Sequence, residues 1–96
     1  MDERIKIFCQ KWNITEFSLF GSYLGNNFNN ESDVDVLVSF DQKATYGYFE
    51  LVDMKSELEI IFGRKVDLVT RRAVEHSRNH IRSREILQKA KLVYAQ

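Results

Sequence analysis

The sequence predicts an α/β domain in which helices pack on a small sheet, and three observations carry that expectation. A valine-rich run, "DVDVLVSF" (residues 33 to 40), alternates its side chains with the period of a strand. A second β-rich run, "KVDLVT" (65 to 70), is separated from it by a stretch from Thr45 to Phe62 whose apolar residues recur at helical spacing. Helical stripes also open the chain and precede its end, so helices and strands interleave as in an α/β unit. Ninety-six residues suffice for one modest core and not for a second, so a single domain spanning 1–96 is expected.

Residues 2 to 12 place Ile5, Phe8, Cys9 and Trp12 on one stripe, with Asp2 available as N-cap and Asn13 as a stop, which predicts the first helix. "FSLF", Phe17 to Phe20, reads as a short strand that Gly21-Ser22 ends. Four Asn and a Gly between Tyr23 and Ser32 oppose regular structure. In the next strand Val34, Val36, Val38 and Phe40 face one way, and Asp33, Asp35, Leu37 and Ser39 the other. The long helix buries Leu51, Met54, Leu58 and Ile61 or Phe62, turns Glu50, Asp53 and Glu57 outward, and stops at Gly63. After the strand at 65 to 70, a basic helical region runs to about Lys91 with a break expected near Ser77. Ile81, Ile86, Leu87 and Ala90 form its apolar face, and "LVYA" (92 to 95) adds an edge strand.

No apolar run is long enough for a membrane span, and "MDERIKIF" lacks a signal-peptide core, so a cytoplasmic protein is expected. The one cysteine, Cys9, has no partner for an internal disulfide and reads as a buried structural thiol. Net charge is zero but unevenly placed. Residues 1–63 hold five basic against eleven acidic side chains, and residues 64–96 nine basic against three acidic, a separation of −6 and +6. A polyanionic ligand, an acidic partner or a solvated helix face would each account for the basic half. Direct nucleic-acid binding is not expected, because only Tyr94 is aromatic beyond residue 64 and single-strand recognition relies on stacking.

The chemistry concentrates in the strands. Asp is disfavoured in strand interiors, and a carboxylate there needs a hydrogen bond, a counter-charge or a metal. Alternation puts Asp33 and Asp35 on one face with α-carbons roughly 6.5 to 7 Å apart, within reach of a shared ion. Hard oxygen donors of this kind suit Mg²⁺ or Mn²⁺. Asp67, between Val66 and Leu68, repeats the pattern, and if the two strands are neighbours three carboxylates converge into a scaffold for two ions. The Gly21-Ser22 turn permits close backbone approach and presents N–H groups and a hydroxyl to phosphate oxygens. His76 and His80, spaced i, i+4, could hold zinc on one helix face, but no third ligand is near in sequence, and two surface histidines are the plainer reading.

Phe20-Gly21-Ser22, ten residues, then Asp33-Val34-Asp35-Val36 resembles the signature of the DNA polymerase β-like nucleotidyltransferase superfamily. "GRKVDLVT" (63 to 70) is similar to the third-carboxylate strand of its smallest branch, the minimal nucleotidyltransferases, and "REILQKAKLVYA" to their C-terminal helix and strand. The resemblance covers about Phe17 to Ala95. It implies a four-stranded mixed sheet flanked by helices, with Asp33 and Asp35 as metal ligands. Asp67 would be ligand to a second Mg²⁺ and base for the acceptor hydroxyl, and Gly21 and Ser22 would hold the phosphates of ATP. Minimal members are similar to the antitoxins of HEPN/MNT toxin–antitoxin pairs, which transfer AMP to a tyrosine of the HEPN ribonuclease toxin and silence it. A cognate HEPN toxin, in a hetero-oligomer with this chain, is therefore the implied partner.

One departure from that pattern bears on the donor site. Many relatives carry Arg or Lys after the Gly-Ser turn, whereas Tyr23 to Ser32 holds no basic residue and includes Glu31, so Arg64, Lys65, Arg71 or Arg72 would have to serve the triphosphate. Tyr23 could stack on a base or simply pack. Tyr46, Tyr48 and Phe49 could line an acceptor groove or belong to the core or a partner contact. The competing function is a catalytically degenerate module that neutralises a toxin by masking its active site. A small-molecule acceptor fits least, since the chain is too short for a second domain to enclose one.

Overall fold

A computed structural model describes residues 3–20 and 33–96. The elements follow in the order α1 (Glu3–Lys11), β1 (Ile14–Phe20), β2 (Val34–Phe40), α2 (Tyr48–Phe62), β3 (Val66–Thr70), α3 (Arg71–Glu75), α4 (His80–Lys89) and β4 (Lys91–Ala95). They build one four-stranded sheet of order β3-β2-β1-β4. β1 is antiparallel to both β2 and β4, while β2 and β3 run parallel. The sheet is mixed because α2 carries the chain back between β2 and β3, as a parallel pair requires.

Helices cover both faces, and alternation along the strands decides which side chains meet which helix. Val34, Val36 and Val38 of β2, Phe17 and Leu19 of β1 and Val66 of β3 turn to one face, against Ile5, Phe8 and Cys9 of α1 and Met54 and Leu58 of α2. Phe20 and Leu37 turn to the other, against Val74 of α3 and Ile86 of α4, with Val69 and Ala90 at the margin. The expected inward and outward sets of β2 are those observed.

Asn13 ends α1 in the left-handed region (φ 56°), which Asn tolerates better than other side chains with a Cβ. Its carbonyl accepts the Asp41 N–H (3.0 Å), and the Tyr46 hydroxyl donates to the Trp12 carbonyl (2.8 Å), so the chain entering α2 is pinned to the α1–β1 corner. Tyr46 is packed edge-on against Trp12 and Phe40 and belongs to the core, whereas Tyr48 and Phe49 are exposed. α2 begins at Tyr48, three residues later than the apolar spacing suggested, because Gly47 is its N-cap and the Gly47 N–H donates to Glu50 Oε2 (3.0 Å). It closes at Gly63 (φ 69°), whose N–H donates to the Glu59 carbonyl (2.8 Å).

The C-terminal half departs from expectation at two residues of its apolar face, Ile81 and Leu87, both of which are exposed. α3 and α4 are separate, as the break near Ser77 anticipates, and the Asn79 side chain caps α4 by accepting from the Arg82 N–H (3.1 Å). With α4 so phased, Ser83 and Ile86 point inward, the Ser83 hydroxyl donates to the Val74 carbonyl (2.8 Å), and Ile81 is 78% exposed. Ile81 and Leu87 are thus not part of the apolar face, which Ile86 and Ala90 supply. His76 caps the end of α3 and His80 opens α4, so the two histidines do not share a helix face. No helix among the described residues is long and apolar enough to cross a membrane.

Two predictions follow from the packing. Burial raises the Cys9 thiol from its ordinary 9.0 to about 12, so the folded chain keeps its proton where the unfolded chain loses it. Stability should therefore fall as pH rises from about 9 to about 12. Cys9→Ala should flatten that alkaline loss in pH-dependent melts, and Cys9 should resist a thiol reagent at pH 8 until the chain unfolds. Glu59 Oε2 accepts the Val66 N–H (3.0 Å). Glu59→Ala leaves that donor without its acceptor and should cost about 1 to 3 kcal/mol in denaturant titration, with Glu59→Gln recovering most of it.

Candidate active site

The carboxylates lie where β2 and β3 begin. Asp33 stands just ahead of β2, Asp35 is its second residue, and Asp67 is the second residue of β3. The parallel register pairs Val34 with Val66 and Asp35 with Asp67, so these two aspartates are strand neighbours, about 4.8 Å apart between α-carbons. Paired residues point to the same face, and on that face the next residues in line, Leu37 and Val69, pack toward α3 and α4. Across the antiparallel ladder Phe20, the last residue of β1, pairs with Asp35. The sheet therefore presents Phe20, Asp35 and Asp67 side by side, with Asp33 one step toward the end. Asp35 is half-buried, and Asp33 and Asp67 are exposed.

Local causes fix this arrangement. The Val34 N–H donates to the Lys65 carbonyl (2.9 Å), which locks the register where the strands begin. Glu59, one turn from the end of α2, holds the Val66 N–H and fixes how the chain leaves the helix to enter β3. Sequence reading did not single out Glu59. Its one signal was a carboxylate four residues before the Gly63 stop, within reach of the strand that follows.

Carboxylate donors at these positions match the hard-oxygen preference of Mg²⁺ or Mn²⁺, and two on adjacent strands plus one two residues away can face a common point. Among the described residues, however, no three His, Cys, Asp or Glu side chains are drawn together into a group able to hold an ion. Like charges repel, by about 1 to 3 kcal/mol at 5 Å from bulk-water to protein-surface dielectric, and a shared cation is what draws such groups in. Gly21 and Ser22, read as nucleotide-binding, follow Phe20 directly and lie outside the described residues, as do Tyr23 and Glu31.

The basic residues proposed for the triphosphate divide between the two ends of the sheet. Arg71 and Arg72 follow Thr70, roughly 10 Å along β3 from Asp67 before α3 even begins. Arg71 is engaged there by Glu75 (3.2 Å) and Glu16 (3.9 Å). A cleft at that far end is lined by Phe40, Asp41, Tyr46, Arg71, Arg72 and His76, so it is not where the carboxylates are. Arg64 and Lys65 precede β3 and lie at the carboxylate end.

Comparison with known proteins agrees with this geometry. The family described as nucleotidyltransferase domain matches residues 1–93. Two proteins of Methanocaldococcus jannaschii, MJ1379 and MJ0128, carry provisional names as protein adenylyltransferases. MJ1379 is 35% identical over 71 residues, covering 74% of this chain and 71% of its own. MJ0128 is 39% identical over 72 residues, covering 74% and 70%. Protein adenylyltransferase MntA of Thermococcus cleftensis is 29% identical over 66 residues, covering 69% and 65%. Among solved structures, a chain of a toxin–antitoxin crystal structure with AMP-PNP has a TM-score of 0.76 at 20% identity, covering 98% of this chain and 73% of that one. A chain from the complex of tri-AMPylated Shewanella oneidensis HEPN toxin with MNT antitoxin has a TM-score of 0.68 at 20% identity, covering 98% and 69%. At that identity the structural likeness speaks for the fold, while the sequence matches speak for kinship. Taken together, a match over nearly all of the chain and a sheet that seats Asp35 and Asp67 on adjacent strands place it in the nucleotidyltransferase domain family, as a minimal nucleotidyltransferase.

Proposed function

We propose that this chain, a single domain over residues 1–96 acting in the cytoplasm, is an antitoxin that uses Mg²⁺ to transfer AMP from ATP to a tyrosine hydroxyl of a cognate HEPN ribonuclease toxin. The observation that carries the reading is the register pairing Asp35 with Asp67, which sets two acidic side chains side by side on one face, a ready catalytic arrangement. The provisional names of the M. jannaschii relatives point to AMP transfer onto protein, and the neighbouring structures with AMP-PNP and with an AMPylated toxin supply the donor and the acceptor class.

In this reading the acceptor oxygen attacks the α-phosphorus of ATP in line. The bond from the α-phosphorus to the bridging oxygen breaks, pyrophosphate leaves, and the hydroxyl proton passes to the Asp67 carboxylate. Asp33 and Asp35 would hold one Mg²⁺ and Asp67, with them, a second. When bound, the ions neutralise phosphate charge and lower the pKa of the acceptor hydroxyl. The chain's own residues do the rest: the β2–β3 register sets the spacing of the carboxylates, Glu59 fixes the start of the Asp67 strand, and Gly21 and Ser22 would cradle the phosphates. An acceptor from outside can reach the site, because Asp67 is exposed. A partner protein that closes over it would exclude water from the transfer.

The second reading, a module that masks a toxin without chemistry, is favoured by one feature: residues 23–32 hold no cation for a triphosphate. The two readings part on the following outcome. With Mg²⁺ and labelled ATP, the wild-type chain should label its partner, and Asp33→Asn or Asp35→Asn should cut labelling by roughly a hundredfold or more. Full labelling by both variants would refute the role of these residues. Mg²⁺ with ATP should raise the melting temperature of the wild type and leave that of Asp35→Asn unchanged from its value in EDTA.

A further inference from the structure

We infer that Lys65 contacts the phosphates of the nucleotide donor and replaces the cation that the Gly-Ser loop lacks. The inference rests on the nucleotidyltransferase reading and extends it to a residue that none of the comparisons assigns.

Asp33 and Lys65 each stand one residue ahead of the first pair of the β2–β3 ladder. Val34 pairs with Val66 and its N–H donates to the Lys65 carbonyl, which brings Lys65 and Asp33 together where the two strands begin. Lys65 directly precedes β3 and lies two residues, at most about 7 Å, from Asp67. Lys65 thus forms the fourth corner of a patch whose other corners are Asp33, Asp35 and Asp67. It is exposed, on a long flexible stem suited to a mobile anion.

Charge makes a cation necessary there. ATP brings about four negative charges and the three aspartates three more, so two divalent ions leave an excess of about three. Residues 23–32 contribute no basic side chain against it. Several of the other cations are elsewhere or occupied. Arg71 and Arg72 sit beyond the far end of β3, and Arg64 is half-buried with a partner of its own. Lys91 pairs with Leu19, whose side chain lies in the core on the opposite face. Lys89 occupies the last turn of α4, where a cation complements the helix carbonyls.

The test compares full-length wild type with Lys65→Gln, Lys65→Arg and the far-end control Arg72→Gln, all first shown to melt like wild type. Dissociation constants for ATP and for AMP are measured with Mg²⁺ present, and the KM for ATP is taken from the labelling reaction. Loss of one charge-assisted phosphate contact should weaken ATP by about tenfold or more in Lys65→Gln. AMP should change less, Lys65→Arg should recover most of the affinity, and Arg72→Gln should match wild type. Equal ATP affinity in Lys65→Gln and wild type overturns the inference. So does an equal loss in Arg72→Gln, which would mean diffuse charge. So does a Lys65→Gln that loses Mn²⁺ without nucleotide while its ATP to AMP ratio stays constant, which would make Lys65 a counter-ion for Asp33. A wild type that binds ATP but transfers nothing to a partner would instead count against the enzymatic reading and leave the ATP comparison at Lys65 decisive on its own terms.

Discussion

Parallel pairing between β2 and β3 is the constraint on which the site depends. Because period-two alternation assigns every side chain to one face, a slip of one residue would turn Asp67 into the valine-lined core and expose Val66 or Leu68 in its place. The cost of burying a carboxylate and exposing an aliphatic side chain makes that slip prohibitive. The apolar residues on one face of β3 therefore hold the acidic residue on the other at its place beside Asp35. Packing and function are in this sense the same specification.

Two contacts at the start of the strands make the register local as well as global. Glu59 takes the Val66 N–H, and the Lys65 carbonyl takes the Val34 N–H. Both lie at the end of the sheet where the carboxylates stand and where side-chain repulsion would otherwise loosen the edge. α2, pinned at one end through Tyr46 and Gly47 and stopped at the other by Gly63, delivers the chain to that point. A crossover of fixed length between two strands is thus also the device that fixes the separation of the acidic groups.

Most of the fold was legible because its signals are periodic. The stripes of α1 and α2, the alternation of β2 and the stop at Gly63 all follow from spacing alone. What escaped was phase and partnership. Ile81 looked inward by composition, but the Asn79 cap sets α4 so that Ser83 and Ile86 face the core, and a cap one residue away would have changed the answer. The early start of β1 at Ile14 was hidden because Glu16 is a weak strand former that gains its place from pairing with β2 and β4. At the site, Asp33, Asp35 and Asp67 could be named from sequence because acids in strands are out of place. That Asp35 and Asp67 are direct neighbours could not, since strand order is a tertiary fact. Glu59 was missed for a similar reason: its partner is a backbone N–H seven residues on. Gly21 and Ser22 lie outside the described residues, so their part in the site rests on sequence.

The central claim is that Asp33, Asp35 and Asp67 share divalent ions beside the nucleotide. Counting bound Mn²⁺ by its paramagnetic resonance signal, with a non-hydrolysable ATP analogue present, tests it most directly. The account predicts two ions per chain in the wild type and the loss of one in Asp67→Asn. The same count in both proteins would contradict it.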